Sequence, residues 1–110
     1  MFLKSLARRP FTAQIPQLAK AQLKQLPYEL GALEPVMSGL LMDFHYSKHH
    51  RNYVNNLNIC IEKQYDALYK GDLKASIALE KEVRFNGGGH INHEFFWDSL
   101  CPMKDSSLPE

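Results

Sequence analysis

The sequence predicts an all-α fold dominated by a long antiparallel α-helical hairpin. In residues 36–69, and again in residues 77–100, apolar side chains recur at the three- and four-residue spacings of one helix face. Between these segments lie Gly71, which suits a helix end, and Asp72, which suits a helix start. No stretch of the chain alternates apolar and polar residues as a strand would. Helices joined by so short a connection pack antiparallel to each other.

The N-terminal residues 1–24 are predicted to lie outside the fold, as a mitochondrial transit peptide or a disordered basic leader. The chain has no acidic residue before Glu29. The basic residues that precede it are Lys4, Arg8, Arg9, Lys20 and Lys24. Apolar residues interspersed among such charges are typical of mitochondrial leaders, and the continuous apolar run of a secretory signal is missing. We therefore expect delivery to the mitochondrial matrix.

Residues 25–102 are predicted to form the hairpin domain. Pro35 is expected in the first turn of the first helix, where its missing N–H is no loss. Gly71 ends that helix, and Pro102 closes the second one. Residues 103–110 have linker composition, so the chain is expected to stop at the start of an interdomain linker. Because two helices alone bury one stripe each, the hairpin is expected to be half of a larger fold.

The composition argues against several classes of partner. The 110 residues are 45% hydrophobic and carry a formal net charge of +1, which is ordinary for a globular protein and gives no basis for a nucleic-acid partner. No run approaches the roughly 20 apolar residues of a membrane-spanning helix, so no membrane partner is expected. Cys60 and Cys101 are isolated, and we expect both to be packing cysteines in a reducing compartment and neither to be a metal ligand.

Three consecutive glycines, residues 87–89, interrupt the second helical pattern. Each glycine in a helix costs roughly 0.5–1 kcal/mol relative to alanine. Two structures are consistent with this penalty. Either the helix breaks into a loop at the triplet, or it continues and offers a surface without side chains that another backbone or a ring approaches closely.

All five histidines fall into two clusters, one in each helical segment. In the first segment, spacings of four residues place His45, His49 and Tyr53 on one helix face, whereas His50 is expected to point elsewhere. In the second segment, spacings of four, three and four residues define a face made of Asn86, His90, His93 and Trp97. If these faces meet, imidazoles from both helices come together, which suggests a metal site or a proton-transfer site.

Two histidines alone make an incomplete metal site, since catalytic metals usually take three or more protein ligands. Asp43 and Glu94 lie beside the histidines, but at offsets that turn them off the inner face. A self-contained site for zinc or another divalent ion requires four histidines, namely His45, His49, His90 and His93. Otherwise the missing ligands come from sequence that this chain does not contain.

Four segments resemble the iron/manganese superoxide dismutases, and most closely their mitochondrial manganese members. They are LPY at residues 26–28, GALEP at 31–35, HYSKHHRNYVNNL at 45–57 and NGGGHINHEFFW at 86–97. The resemblance extends from about Lys24 to the C-terminus. It implies an N-terminal helical-hairpin domain in which each helix gives one metal ligand, followed in the family by a C-terminal α/β domain that is absent from this sequence.

By position in these motifs, the resemblance implies specific roles for five residues. His45 and His93 are the implied metal ligands. His49 and Tyr53 are implied to line the substrate funnel, with Tyr53 in the hydrogen-bonded network that delivers protons. Trp97 is implied to belong to the aromatic wall around the metal.

The resemblance also bears on the choice of metal. His50 and His90 match family positions that are not ligands, which argues against the four-histidine site. The glycine triplet followed by His90 resembles the manganese-type pattern, so we expect manganese as the cofactor in preference to iron. The other two ligands of the family, from an Asp-x-x-x-His motif of the C-terminal domain, have no match here.

The implied activity is the dismutation of superoxide to dioxygen and hydrogen peroxide at a manganese centre. The full-length form is expected to be a homo-oligomer, either a dimer or a tetramer. With two of four ligands, the isolated chain is expected to be weakly active or inactive. The alternative is a non-catalytic short isoform that interacts with full-length subunits.

Overall fold

The structure is a computed structural model, and it describes residues 20–107. Every regular element in this range is helical, which confirms the predicted all-α hairpin. The elements are α1 (Gly39–Phe44), a π-helical turn (His45–His50), α2 (Arg51–Tyr69), α3 (Leu73–Ala78), α4 (Glu80–Asp98) and a short 3-10 helix (Met103–Asp105). None of these described helices is long and apolar enough to cross a membrane.

The first helix begins at Gly39, and Pro35 lies before it and not in its first turn. The Ser38 hydroxyl caps this helix by accepting a hydrogen bond from the Leu41 N–H at 3.1 Å. The Glu34 carboxylate accepts a second hydrogen bond from the Gly39 N–H at 3.0 Å. These side-chain acceptors satisfy N–H groups that a helix start leaves free, and proline has no such acceptor. The later start is therefore favoured over the predicted one.

The α1 helix, the π-helical turn and α2 follow one another without a break, because the residues at both junctions keep right-handed helical torsion angles. A π-helical turn carries an extra residue relative to an α-helix. That residue rotates the side chains that follow, and His50 comes to the inner face with only 1% of its surface exposed. The expectation that His50 points elsewhere is wrong, because it assumes α-helical spacing throughout.

The connection between the long helices has the predicted features. Gly71 has a φ of 74°, in the left-handed region that glycine adopts without strain. The Asp72 carboxylate caps α3 by accepting a hydrogen bond from the Ala75 N–H at 3.0 Å. A single residue, Leu79, separates α3 from α4. The chain thus reverses its direction between the end of α2 at Tyr69 and the start of α4 at Glu80.

The helices α2 and α4 pack side by side in opposite directions. The register is marked by three contacts, His50 with His90, the Leu57 side chain with Gly87, and Cys60 with Glu82. The buried side chains of α2 are Val54, Leu57, Cys60 and Ala67. A separate apolar cluster joins Leu33, Met42 and Trp97. Burial of these apolar surfaces supplies the main driving force for pairing the helices.

Residues 20–28 form an N-terminal strap across both helices. Asn58 of α2 forms two hydrogen bonds with the backbone of Ala21. The Ala21 N–H donates to Asn58 Oδ1 at 2.7 Å, and the Ala21 carbonyl accepts from Asn58 Nδ2 at 3.0 Å. Lys24 Nζ lies 3.4 Å from Glu94 Oε2 of α4. The strap therefore adds polar contacts to each helix and ties the two together.

Parts of the predicted leader and linker lie outside the described residues. Residues 1–19 are not described, so the transit peptide stays a prediction. Residues 20–24, which that prediction also assigned to the leader, lie against the hairpin. Of the predicted linker, residues 103–107 are described and begin with the 3-10 helix, while residues 108–110 are not.

The α4 helix runs without interruption through the glycine triplet, so the loop alternative is wrong. Glycine is required at position 89, because a Cβ atom there would overlap the ring of Tyr53. A Cβ at Gly88 would meet nothing within 4 Å. Close approach of an aromatic ring to the backbone therefore requires the third glycine, whereas nothing in the structure explains the second.

Replacing Gly89 with alanine should destabilise the hairpin, although alanine has the higher helix propensity. The added methyl group would force the Tyr53 ring away, and overpacking of this kind costs about 1–3 kcal/mol. Gly88→Ala is the matched control, and it should raise the free energy of unfolding by about 0.5–1 kcal/mol because nothing obstructs its Cβ. Urea unfolding followed by far-ultraviolet circular dichroism measures both effects. Equal stability of the two variants would contradict the close contact.

The two cysteines are free thiols in different surroundings. Cys101 is exposed, so it is not the packing cysteine that was expected. Cys60 is buried as expected, and its Sγ lies 3.5 Å from Glu82 Oε2. Burial, and then the Glu82 carboxylate, raise the pKa of the Cys60 thiol, because both disfavour the thiolate.

Alkylation should distinguish the two thiols. Because the thiolate is the reactive form, Cys101 should react with iodoacetamide at least roughly tenfold faster than Cys60 in the folded chain. Its raised pKa means that Cys60 ionises only at a higher pH than an ordinary thiol, so its alkylation should accelerate later as the pH rises. Peptide mass spectrometry measures both rates, which should converge in urea. Equal rates in the folded chain would show that Cys60 is accessible after all.

Candidate metal centre

A hollow of about 410 Å³ lies where the π-helical turn faces α4. It is lined by Leu41, Phe44, His45, His49, Tyr53 and His93. The residues to which the resemblance assigns metal binding and proton delivery thus surround one space. A larger hollow of about 570 Å³, between the strap and the 3-10 helix, has no histidine among its lining residues.

His45 and His93 approach each other across the hairpin. His45 is the first residue of the π-helical turn, and His93 lies in α4. Their ring centroids are 4.8 Å apart, and the ring planes are inclined at 89°. One histidine from each helix therefore meets at the hollow, as the two sequence clusters predict.

The hydrogen bond of His93 determines which of its ring nitrogens is available. Its Nδ1 lies 2.6 Å from the carbonyl oxygen of Gly89. Because a carbonyl only accepts, Nδ1 carries the hydrogen, and in a neutral ring Nε2 then carries the lone pair. A histidine that ligates a metal commonly has this arrangement, with its other nitrogen bonded to a backbone carbonyl. His93 is thus prepared to coordinate through Nε2.

The surroundings of His45 favour its neutral form. Burial, followed by His93 and then His49, lowers the pKa of His45. Each cause acts against the cation, because burial removes hydrating water and nearby imidazoles repel added positive charge. A neutral imidazole is the form that binds a metal. His45 is therefore favoured in the protonation state that coordination needs.

His49 and Tyr53 lie beside this pair. His49 is exposed, and its ring centroid is 6.1 Å from that of His45. Tyr53 is half-buried, and its ring centroid is 5.3 Å from that of His93. An imidazole and a phenol can each donate and accept a hydrogen bond. The hollow thus has one proton-carrying group open to water and another over the backbone of α4.

Aromatic rings enclose His45 on a further side. The Trp97 ring centroid lies 4.8 Å from that of His45, and Trp97 is 3% exposed. The Phe96 centroid lies 5.4 Å from the same ring. The family motif implies a role for Trp97 but none for Phe96, whose place beside Trp97 in an aromatic run was the only available signal in the sequence. Both rings exclude water from part of the candidate site.

Two histidines that do not line the hollow form a buried pair, His50 and His90. His50 Nε2 and His90 Nδ1 are 2.8 Å apart, and the residues are 1% and 8% exposed. Burial, then His90 and His93, lower the pKa of His50 to about 4, so this ring is neutral near neutral pH. The pairing could not be predicted from α-helical spacing, because it depends on the rotation that the π-helical turn introduces.

The described residues do not complete a metal site. Within residues 20–107, no group of three or more His, Cys, Asp or Glu side chains is arranged to hold a metal ion. His90 faces His50 through Nδ1 and Glu94 through Nε2, so it does not join the pair at the hollow. The self-contained four-histidine site is therefore wrong. His45 and His93 fit one side of a transition-metal site, which further ligands must complete.

Comparison with known proteins identifies the same region. Residues 20–101 match the α-hairpin domain of the iron/manganese superoxide dismutases. The chain is 48% identical over 110 residues to the mitochondrial manganese superoxide dismutase of Charybdis feriata, an alignment that covers 100% of this chain and 48% of that relative. The chain thus spans about half the length of the relative that it matches. It belongs to the iron/manganese superoxide dismutase family, and the part described is the α-hairpin domain of that family.

Proposed function

We propose that this chain provides the α-hairpin half of a manganese superoxide dismutase, with His45 and His93 as two of the metal ligands. The main support is that the His45 and His93 ring centroids lie 4.8 Å apart. Nδ1 of His93 donates to the Gly89 carbonyl, which leaves the Nε2 lone pair available for a metal. The remaining ligands come from protein outside residues 20–107. When bound, the manganese supplies the one-electron redox couple that takes an electron from one superoxide and gives it to another.

Protons reach the hollow through Tyr53 and His49. Each hydrogen peroxide that forms consumes two protons, so the site needs groups that pick up and pass on hydrogen. The exposed imidazole of His49 exchanges protons with water, and the Tyr53 hydroxyl both donates and accepts. Both residues line the hollow that also holds the two ligands, which supports this role.

One cation near the hollow suits an anionic substrate. Lys48 Nζ lies 5.3 Å from the ring centroid of Phe44, which lines the hollow. Positive charge beside a cleft raises the encounter rate of a small anion such as superoxide. Lys48 therefore attracts the substrate from beside the hollow.

Manganese and the mitochondrial matrix are the favoured cofactor and location. The matched relative is named as a mitochondrial manganese enzyme. The acid-free, basic N-terminus agrees with that location. The glycine triplet before His90 agrees with that metal, because it resembles the manganese-type pattern of the family.

Metal titration of the 110-residue chain tests the ligand pair directly. Cu²⁺ is the probe, because imidazoles bind it more tightly than other first-row divalent ions. His45→Ala and His93→Ala should each weaken binding in calorimetry by roughly tenfold or more, whereas the matched variant His49→Gln, in the same hollow, should change it little. Binding that survives both alanine substitutions, or that depends equally on His49, would refute the assigned pair.

A chimera tests the activity. In it, this chain replaces the aligned part of the Charybdis feriata enzyme, so that the rest of that enzyme can supply what the hairpin lacks. The chimera should dismute superoxide in a manganese-dependent manner and lose this activity on His93→Ala, while the hairpin chain alone should do no more than free manganese. Robust manganese-dependent activity of the hairpin chain alone would overturn the proposal of an incomplete site.

Exposed apolar side chains favour a second candidate function, association with intact dismutase subunits without catalysis. Val36, Leu40 and Phe95 are among the large hydrophobic residues that lie exposed, the most open being Leu40 at 81%. Such surface is commonly an interface. Mixing the chain with the intact Charybdis feriata enzyme and following both by size-exclusion chromatography distinguishes the two: co-elution with altered subunit assembly supports this candidate, and independent elution excludes it.

A further inference from the structure

The single tryptophan of the chain determines which atoms donate and which accept hydrogen bonds in the buried histidine pair. Trp97 Nε1 lies 3.0 Å from His50 Nδ1. An indole N–H can only donate, so His50 Nδ1 must carry a lone pair. An imidazole with a lone pair on Nδ1 is neutral and carries its hydrogen on Nε2. The tautomer of His50 follows from its partner.

The same order of donors and acceptors extends through His90 to the carboxylate of Glu94. His50 Nε2 donates to His90 Nδ1 at 2.8 Å, which leaves the hydrogen of a neutral His90 ring on Nε2. That nitrogen lies 3.3 Å from Glu94 Oε1. The other oxygen, Glu94 Oε2, lies 3.4 Å from Lys24 Nζ of the strap. An ordered series of contacts thus runs from Trp97 to Lys24.

The carboxylate decides between two arrangements of this series. If His90 instead carried its hydrogen on Nδ1, it would donate to His50 Nε2, and the His50 hydrogen would face the Trp97 N–H. Two buried donors would then oppose each other without an acceptor, which is costly. A negative charge beside His90 Nε2 stabilises hydrogen at that atom and so selects the arrangement in which Trp97 has its acceptor.

Packing and hydrogen bonding together restrain the Trp97 ring. Trp97 is 3% exposed and belongs to the apolar cluster with Leu33 and Met42. A cavity of about 70 Å³, lined by Trp97 together with His50, Glu94 and Lys24, leaves part of its surroundings unfilled, so the indole hydrogen bond adds to the restraint that packing provides. The Trp97 ring centroid lies 4.8 Å from that of His45.

We propose that Glu94 is a positioning residue, held by Lys24, that sets the tautomers of His90 and His50 and thereby orients Trp97 against His45. The relevance of this orientation to a metal centre rests on the proposed function. The tautomers and the indole hydrogen bond do not, and they can be measured on the full chain without metal.

Nuclear magnetic resonance of the uniformly ¹⁵N-labelled chain tests the proposal. Because Trp97 is the only tryptophan, its indole N–H gives one unambiguous signal. That signal should lie downfield and exchange slowly with solvent. Long-range ¹H–¹⁵N spectra should show hydrogen on Nε2 of His50 and His90 but on Nδ1 of His93. Hydrogen on Nδ1 of His50 would overturn the proposal at once.

Variants separate positioning from general stability. Glu94→Ala should bring a mixture of tautomers in the buried pair and roughly tenfold faster indole exchange. Glu94→Gln keeps an oxygen acceptor and should restore most of the wild-type signature. Glu80→Ala removes a carboxylate from the exposed start of the same helix and should change neither readout.

If Glu94→Ala unfolds, as judged by loss of its helical circular dichroism signal, a second variant provides the test. Lys24→Ala leaves both helices unaltered and should cause a smaller change in the same direction. Wild-type tautomers and exchange in both Glu94→Ala and Lys24→Ala would refute the positioning role, as would a Glu94→Gln variant no closer to wild type than Glu94→Ala. Failure of the chimera to dismute superoxide would remove the proposed function while leaving these spectra unchanged, so the two hypotheses fail separately.

Discussion

The hairpin depends on how closely α2 and α4 approach each other at Gly89. With no side chain at that position, an aromatic ring of the facing helix rests directly on the α4 backbone. The histidines of the two helices can then touch: the His45 and His93 rings are 4.8 Å apart, and His50 Nε2 is 2.8 Å from His90 Nδ1. One small residue therefore permits both the candidate metal pair and the buried pair. The helix-propensity cost of glycine is offset by these contacts.

Histidines inside so small a core are tolerated because they are paired by hydrogen bonds. Burying a polar group costs free energy unless it forms hydrogen bonds. Among the described residues, no buried side-chain nitrogen or oxygen lacks a partner. His50 remains uncharged because burial lowers its pKa to about 4. Polar pairing also restricts the packing of the two helices, since a shifted register would leave buried donors without acceptors.

Local signals predicted most of the architecture. Periodic apolar residues located the two helices, and Gly71 and Asp72 located the reversal between them, because a left-handed residue and a helix cap are properties of a few neighbouring residues. The meeting of His45 and His93 was also predictable, since each lies on the face that its helix buries. The start of the first helix was not, because it depends on Glu34 and Ser38 accepting hydrogen bonds from the N–H groups of Gly39 and Leu41, respectively.

The order of residues alone was enough to establish the hairpin, the two histidine clusters and the family motifs, since each rests on spacing within one segment. Tertiary structure decided the rest. Three contacts join residues that lie 37 to 47 positions apart in the chain: the hydrogen bonds of Ala21 with Asn58, the pairing of His50 with His90, and the indole hydrogen bond of Trp97 to His50. The inward orientation of His50 goes with the last two of these contacts. Such contacts set the burial, the pKa and the tautomer of each imidazole. Spacing along the chain cannot specify these properties, because the atoms that control them belong to other elements.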